Sequence, residues 1–494
     1  MSVYAAMPAQ VTKLPRVAVL GGGITGLVAA YRLRELTAAN EIPLETILLE
    51  SSDRVGGALE TICDNGYVIE NGADAILTEK PAVLRLVKRL GLEDKLITTQ
   101  ERFRRSYVAR RGRLVPIPDG FSLIAPTVLG PVIHSELFSP LGKLRILAEP
   151  LIPRRRRRED ESLAAFVRRR LGQQVLERIA QPLAGGIYTG DPGTLSAAAT
   201  IPRFVEMERV YGSVIRGLKA AARSNRAARQ ASGARWSLFV SFSSGITQLT
   251  DTLLKRISDS VRYRSQVTGI ERQVPGEHPR RRLWRLRLED ELSVEADAII
   301  CTIPAYAAAP LLRPHDEHAA GLLDSIEYAS SAVVNMAFRE ADLAGVPQSF
   351  GFVVPAIERR SIIAGSFSSF KYAGRAPSGM VLVRVFLGGE LQKHMMLLDD
   401  DELITAAVED FGALVGVRAR PVFTRLRRWP RAMPQYSVGH LQRVTEIERS
   451  LERLPCFALA GAFLRGVGIP DCVQAGESAA ETVFSQFQRN RAQY

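Results

Sequence analysis

With 494 residues and a formal net charge of +13 from 65 Lys+Arg against 52 Asp+Glu, the chain is long enough for two or three domains sharing one core. Its cysteines, Cys63, Cys301, Cys456 and Cys472, are scattered without a C-x-x-C pair, which excludes a structural zinc site or disulfide framework and suits a reducing compartment. No apolar run reaches the roughly 18 residues of a membrane span, and the opening MSVYAAMPAQVTKLPR lacks the charged-then-apolar order of an export signal, so none is expected.

The first elements carry the most chemistry. Val17-Ala18-Val19-Leu20 predicts a buried parallel strand. Gly21, Gly22, Gly23, Ile24, Thr25 and Gly26 follow as Gly-x-Gly-x-x-Gly at the entry to a helix. Gly21 makes the tight turn, Gly23 admits a pyrophosphate to the backbone, and Gly26 allows close helix–strand packing. The helix N-terminus offers unpaired N–H groups and a positive dipole end. A second strand, Thr46 to Leu49, ends in Glu50, placed to accept from ribose hydroxyls. This strand–helix–strand order with its acidic tip predicts dinucleotide binding. The next segment, Glu50-Ser51-Ser52-Asp53-Arg54-Val55-Gly56-Gly57, resembles the E-x-x-x-R-x-G-G extension of amine-oxidase-like flavoproteins, which implies FAD rather than NAD.

Further along, Tyr67 to Asp74 predicts a strand leading into a loop, and Pro81 to Leu90 a helix. Arginines then crowd positions 102–113, run consecutively from Arg154 to Arg158, and recur at Arg168 to Arg170. Such clusters suit an anionic membrane surface or an anionic substrate. Nucleic acid is excluded as a partner, since no nucleic-acid-binding motif accompanies them. The uncharged stretch Phe121–Ile133 is too short and too broken by Pro126 and Pro131 to span a bilayer. It either dips into one leaflet or packs inside the protein. Helices are predicted over 161–171 and 173–179, followed by a loop, Gly185 to Pro192, that exposes backbone. Residues 221–235 read as a mobile connector. Strands are predicted at 237–242, 261–268, 298–302 and 381–387, with a hairpin over 283–294 and a helix from near Thr247. His315 and His318 read as solvated surface. At the C-terminal end, the strand Phe457 to Gly461, a Gly466–Asp471 turn and a helix from Val473 to Val483 supply a second dipole terminus for the flavin's pyrimidine end.

Over nearly its whole length the chain resembles the oxygen-dependent protoporphyrinogen oxidases. The resemblance rests on ESSDRVGGALET, RSYVARRGRLVPIP, AGGIYTGDPGTLS, VSFSSGITQLTDTL, YASSAVVNMAF, FGFVVP, RAMPQYSVGHL and GVGIPDC. It implies an α/β and α+β architecture: a Rossmann-like FAD-binding domain, a mixed-sheet substrate domain and a helical membrane-binding domain. The corresponding boundaries are 14–95 (FAD, first part), 96–210 (helical, membrane-binding), 211–300 (FAD part with the hairpin), 301–425 (substrate) and 426–494 (FAD, C-terminal part).

The resemblance also assigns roles. Gly21–Gly26, Glu50, Ser51, Gly56, Gly57, Ala58, the loop Gly72, Ala73, Asp74 and Ala75, and Val267, Trp429, Val467, Gly468 and Ile469 would hold FAD. Ala58 stands where many members carry Lys or Arg. Gly186 would accept pyrrole N–H bonds, Phe386 and Val353 would clamp the rings, and Ser366 would occupy a further clamping position. A propionate-binding arginine of some members aligns with Ser106, leaving Arg105 as the substitute. The implied reaction is six-electron oxidation of protoporphyrinogen IX to protoporphyrin IX, releasing hydrogen peroxide, with coproporphyrinogen III as the alternative substrate. No side-chain general base is assigned, since the flavin is the reagent. The implied partners are molecular oxygen, an anionic membrane surface, a ferrochelatase-like product acceptor and a second copy of the chain. The expected location is the cytoplasm or the cytoplasmic face of the inner membrane.

Overall fold

The computed structural model describes residues 14–156, 159–232, 238–273 and 283–492. Five parallel strands form one sheet, in the order Val261–Arg262, Glu45–Leu49, Arg16–Leu20, Ala298–Cys301 and Phe457–Leu459. Strands covered on both faces must be apolar throughout, and Val17 to Leu20 and Ala298 to Cys301 are all buried. The sheet draws on distant stretches of chain, so it is complete only when the C-terminal segment returns. That segment ends in the helix Ile469–Ala492, which packs beside Ile24–Asn40 so closely that a Cβ on Gly476 would lie 2.4 Å from Thr25 O. The helix starts at Ile469 rather than Val473, so the Gly466–Gly468 turn feeds straight into its first residue.

A seven-stranded mixed sheet stands opposite. Its order is Phe423–Pro434, Tyr328–Arg339, Met380–Gly388, Ile362–Phe367, Gly351–Val353, Ser106–Arg110 and Arg113–Pro116. All pairs are antiparallel except Gly351–Val353 with Ser106–Arg110. One face carries Val381, Val383, Val385 and Leu387, packed with Leu403, Ala407, Phe411 and Leu414 of the Asp400–Val415 helix. Alternation puts Leu382, Arg384 and Phe386 on the other face. Two expected boundaries change here. Ser106–Pro116, assigned from sequence to the helical region, forms the edge of this sheet, and Phe423–Pro434 runs straight through the 425/426 division. Strand pairing is non-local, so an isolated alternating pattern carries no address for its neighbour.

The helical region has its own core, built on Ile146, Phe166, Val167, Val175, Ile179, Leu195, Phe204 and Val214. The uncharged stretch divides between its two readings. Ile124, Ala125 and Val132 are buried in that core, while Val128 and Ile133 are exposed. The predicted 185–192 loop is helical to Tyr188: Gln173–Val175, a π turn Leu176–Ala180 and Gln181–Tyr188 form one run. Packing of Pro182, Ala184 and Gly185 outweighs the roughly 1 kcal/mol helix penalty of each glycine. The connector expected at 221–235 continues the helix Val214–Ser232, in keeping with its alanines and arginines; Arg235, like Arg157 and Arg158, lies outside the described residues. Among the described residues no helix is long and apolar enough to cross a membrane.

Candidate active site

The cofactor groove is built at the N-terminus of Ile24–Asn40. Gly21 has φ +98°, which favours glycine, and a Cβ on Gly26 would sit 1.9 Å from Gly21 O. The Gly22 N–H donates to Glu50 Oε2 at 2.6 Å, and Glu50 Oε1 accepts from Ser52 N–H at 2.8 Å. Glu50 is thereby fixed at the strand tip with lone pairs left for a ribose. The second glycine pair folds back on the first: Gly56 N–H donates to Gly22 O at 2.8 Å, and a Cβ on Gly57 would lie 3.3 Å from Gly23 Cα. Ser51 and Ala58 are exposed on this rim. Val267 begins the strand Val267–Arg272, two residues after Ser265, whose N–H donates to Glu50 O at 2.8 Å.

The groove fits a dinucleotide. A Cβ built on Gly23 meets no atom within 4 Å, so open space lies directly in front of the helix's first N–H groups. The second helix, preceded by Val467 and Gly468 and starting at Ile469, runs parallel alongside: Gly476 packs on Thr25, Glu481 pairs with Arg32 and Gln488 meets Asn40, so the two N-termini point the same way. Tyr436 and the fully buried His440 brace its approach by stacking on each other 4.0 Å apart between ring centres. Tyr436 Oη donates to Ala462 O, and His440 Nε2 hydrogen-bonds Leu464 O at 2.8 Å. Burial pushes the His440 imidazolium down to about 4, so it is neutral near pH 7.

The Gly72–Ala75 loop joins groove to substrate sheet. A Cβ on Gly72 would lie 1.8 Å from Ala58 O and 3.6 Å from Trp429. The Trp429 indole N–H donates to Asn71 O at 2.7 Å. Arg384 Nη2 donates to Gly72 O, and its Nη1 lies 3.4 Å from Asp74, which also pairs with Lys371 at 2.8 Å. Burial opposes the Asp74 charge, but Lys371 and Arg384 win and hold the carboxyl down at about 2. Arg375 and Glu70 lie beside this group, both buried, with burial raising Glu70 above the usual carboxylate range. Sequence reading missed this buried cluster. A signal existed: Arg384 interrupts the apolar strand Met380–Gly388, where a charge has no place unless it is paired.

Register orders the substrate face. Val333, Phe386, Ala364, Val353 and Val108 are successive cross-strand partners and make an apolar track. Asn335, Arg384, Ser366, Gly351 and Ser106 make a polar row beside it. The helix Gln181–Tyr188 lies over this face. Its start is tied by Ala356 N–H to Gln181 Oε1 at 2.8 Å, and its end by Glu390 N–H to Thr189 O at 2.8 Å. Gly186 is therefore exposed in a helix's last turn, where carbonyls lack intrahelical partners, rather than in a loop. Phe386, Val353 and Ser366 thus share one face of the sheet, and the helix that carries Gly186 packs along its strands. Arg105 does not join them: it is exposed, and pleating groups it with Tyr107 and Ala109, which pack on the opposite face.

Residues 24–484 match the family described as flavin containing amine oxidoreductase. The chain is 33% identical over 467 residues to the coproporphyrinogen III oxidase of Bacillus subtilis, covering 94% of this chain and 96% of that one. It is 28% identical to protoporphyrinogen oxidase 1, chloroplastic, of Arabidopsis thaliana, with 94% and 87% covered. A solved structure from Exiguobacterium sp. 255-15, provisionally named a protoporphyrinogen oxidase, superposes with a TM-score of 0.81 at 28% identity, covering 97% of this chain and all of that one.

Proposed function

The chain belongs to the flavin-containing amine oxidoreductase family, and from that premise we propose that it oxidises a porphyrinogen to a porphyrin. The reading is supported by the porphyrinogen-oxidising relatives and by the apolar Phe386–Ala364–Val353 row, which shares its sheet face with Arg384, the donor to Gly72 O. Aromatising the macrocycle removes six electrons, hence three two-electron turnovers. FAD, held by the Gly21–Gly26 turn and Glu50, would supply the two-electron acceptor, with molecular oxygen as the final oxidant. The chain's own residues orient the macrocycle: Gly186 O accepts pyrrole N–H bonds, while Phe386 and Val353 fix the ring plane against the cofactor. The protein assigns no side-chain base to this chemistry.

Coproporphyrinogen III is the favoured substrate, ahead of the protoporphyrinogen IX expected from sequence. Relatives named coproporphyrinogen III oxidase reach 31–33% identity, those named protoporphyrinogen oxidase 27–29%. Aerobic porphyrin fluorescence from FAD-loaded protein, with both porphyrinogens run in parallel, tests this reading. A higher kcat/KM for coproporphyrinogen III is expected, and no turnover of either substrate sinks it. A ferrochelatase-like enzyme is the proposed recipient of the product.

We also propose that the helical region touches an anionic membrane. Leu141, Leu144 and Leu151 are 78%, 62% and 82% exposed, and Lys143, Arg154 and Arg155 flank them in sequence. Leu141 and Leu144 lie three apart on the Pro140–Leu147 helix and Leu151 ends the turn that follows it, so this corner of the helical region exposes large apolar side chains near Arg154. The protein should co-sediment with vesicles containing phosphatidylglycerol, and the triple change Leu141→Glu/Leu144→Glu/Leu151→Glu should abolish this. Wild-type protein left in the supernatant would refute it.

A further inference from the structure

Three arginines at the edge of the substrate sheet have no place in the functions above. Arg110, Arg111 and Arg178 line a concave pocket with Val108, Ile357 and Glu358. The pocket adjoins the far end of the substrate row through Val108, which is itself fully buried against the helical core. Ser106, Val108 and Arg110 share one face of their strand, and Val108 is the register partner of Val353. From Phe386 to Val108 the track crosses three strand spacings, about 14 Å, comparable with the breadth of a tetrapyrrole carrying its side chains. Arg178 belongs to the same helical run as Gly186, eight residues earlier and about 12 Å along the axis. A macrocycle lying between Gly186 and the Phe386 track would therefore extend its peripheral groups toward these guanidinium groups.

The charge balance points to an anion. Three guanidinium groups face one carboxylate, and Glu358 Oε2 already accepts the Arg111 backbone N–H at 2.7 Å. Among the described residues none of the three arginines lies within ion-pair distance of a carboxylate. Arg178 is half-buried and held in place: its Nη1 donates to Leu137 O and, at 3.0 Å, to Gln174 Oε1. Burial and the nearness of Arg110 and Arg111 lower its pKa, with Glu177 and Glu358 opposing them. These three line one concave pocket, and Arg178 is anchored to a backbone carbonyl.

We propose that this pocket receives a carboxylate from the periphery of the porphyrinogen, at the end of the track remote from the flavin, so that Arg110 and Arg178 select a tetracarboxylate substrate. The assignment rests on the porphyrinogen reading given above. It replaces Arg105, which the pleat turns away, with residues on the substrate face.

The test uses FAD-loaded wild type, Arg110→Gln, Arg178→Gln and Arg178→Lys. Loss of one charge-assisted contact should raise KM for coproporphyrinogen III about tenfold in each Gln variant, with kcat within about twofold. KM for protoporphyrinogen IX should change much less, and Arg178→Lys should recover part of the loss. Arg110→Gln leaves the Leu137 anchor untouched, so it remains readable if Arg178→Gln misfolds. Equal shifts for both substrates, or none, overturn the proposal. Inorganic phosphate separates a free-anion site from a substrate site: if it raises the wild-type Tm without competing with coproporphyrinogen III, the proposal also fails. Absence of wild-type turnover on either porphyrinogen would instead refute the parent reading. Fluorescence titration with coproporphyrin III would still report on the pocket, through a Kd expected to rise about tenfold in the Gln variants and overturning the proposal if unchanged.

Discussion

Gly23→Ala should give a folded, colourless protein. Gly23 is the N-cap of the Ile24–Asn40 helix, with φ −65° and ψ 175°, a conformation alanine adopts without strain. Its Cβ would meet no protein atom within 4 Å, so the apo-protein has no reason to lose stability. The methyl instead occupies the space through which a pyrophosphate approaches the helix N-terminus. FAD occupancy, read from the ratio of flavin to protein absorbance after purification, should fall at least tenfold, while the apo-protein Tm stays within about 2 °C of wild type. Gly72→Ala makes the contrast. Its Cβ would overlap Ala58 O, and the loop cannot yield because Trp429, Arg384, Lys371 and Glu60 hold its other side. Overpacking of this kind costs about 1–3 kcal/mol, so Gly72→Ala should lower both stability and FAD occupancy. If Gly23→Ala retained flavin at the wild-type level, the groove described here would not be the pyrophosphate site.

The cofactor half of the site was readable from sequence because its constraints are local. A tight turn, a close helix–strand approach and an acidic strand tip fall within residues 21–50, and each demands a particular residue type. The substrate half is assembled from residues far apart in sequence. Arg384 meets Gly72 and Asp74 across some three hundred positions, and only the register of a seven-stranded sheet brings Phe386, Ala364, Val353 and Val108 into line. Register follows from pairing, which periodicity alone does not specify. The same limit explains Gly186. Two glycines before Ile187-Tyr188 look like a loop by propensity, yet the turns before them and the packing beneath them make a helix end. Both conformations leave its carbonyl without an intrahelical partner, so the change of element does not by itself remove the proposed role of Gly186.

Charge runs were the least readable feature. Arg168, Arg169 and Arg170 look like one basic patch, but they occupy three environments. Arg168 is exposed, Arg169 pairs with Glu161 and Glu208, and Arg170 is fully buried against an equally buried Glu149. Arg170→Met should be the most destabilising single change in the helical region. Arg170 donates to the Glu149 carboxylate, to Ile152 O at 2.9 Å and to Gly212 O at 3.1 Å. Glu149 in turn accepts from Ser213 Oγ and from Val214 N–H at 2.9 Å, so the pair fastens the start of the Val214–Ser232 helix to the rest of that region. Removing the guanidinium leaves a buried carboxylate without its counter-charge and several carbonyls without donors. Breaking one partner of such a pair costs about 3–5 kcal/mol, whereas replacing both by apolar groups is often neutral. Arg170→Met should therefore shift the urea midpoint sharply downward, and Arg170→Met/Glu149→Leu should recover much of the loss. Because the pair lies in the helical core rather than the parallel sheet, FAD occupancy at 25 °C should fall far less than in Gly23→Ala. If the single and double variants were equally unstable, the penalty would come from lost packing and the lost Ile152 and Gly212 contacts rather than from an uncompensated buried charge.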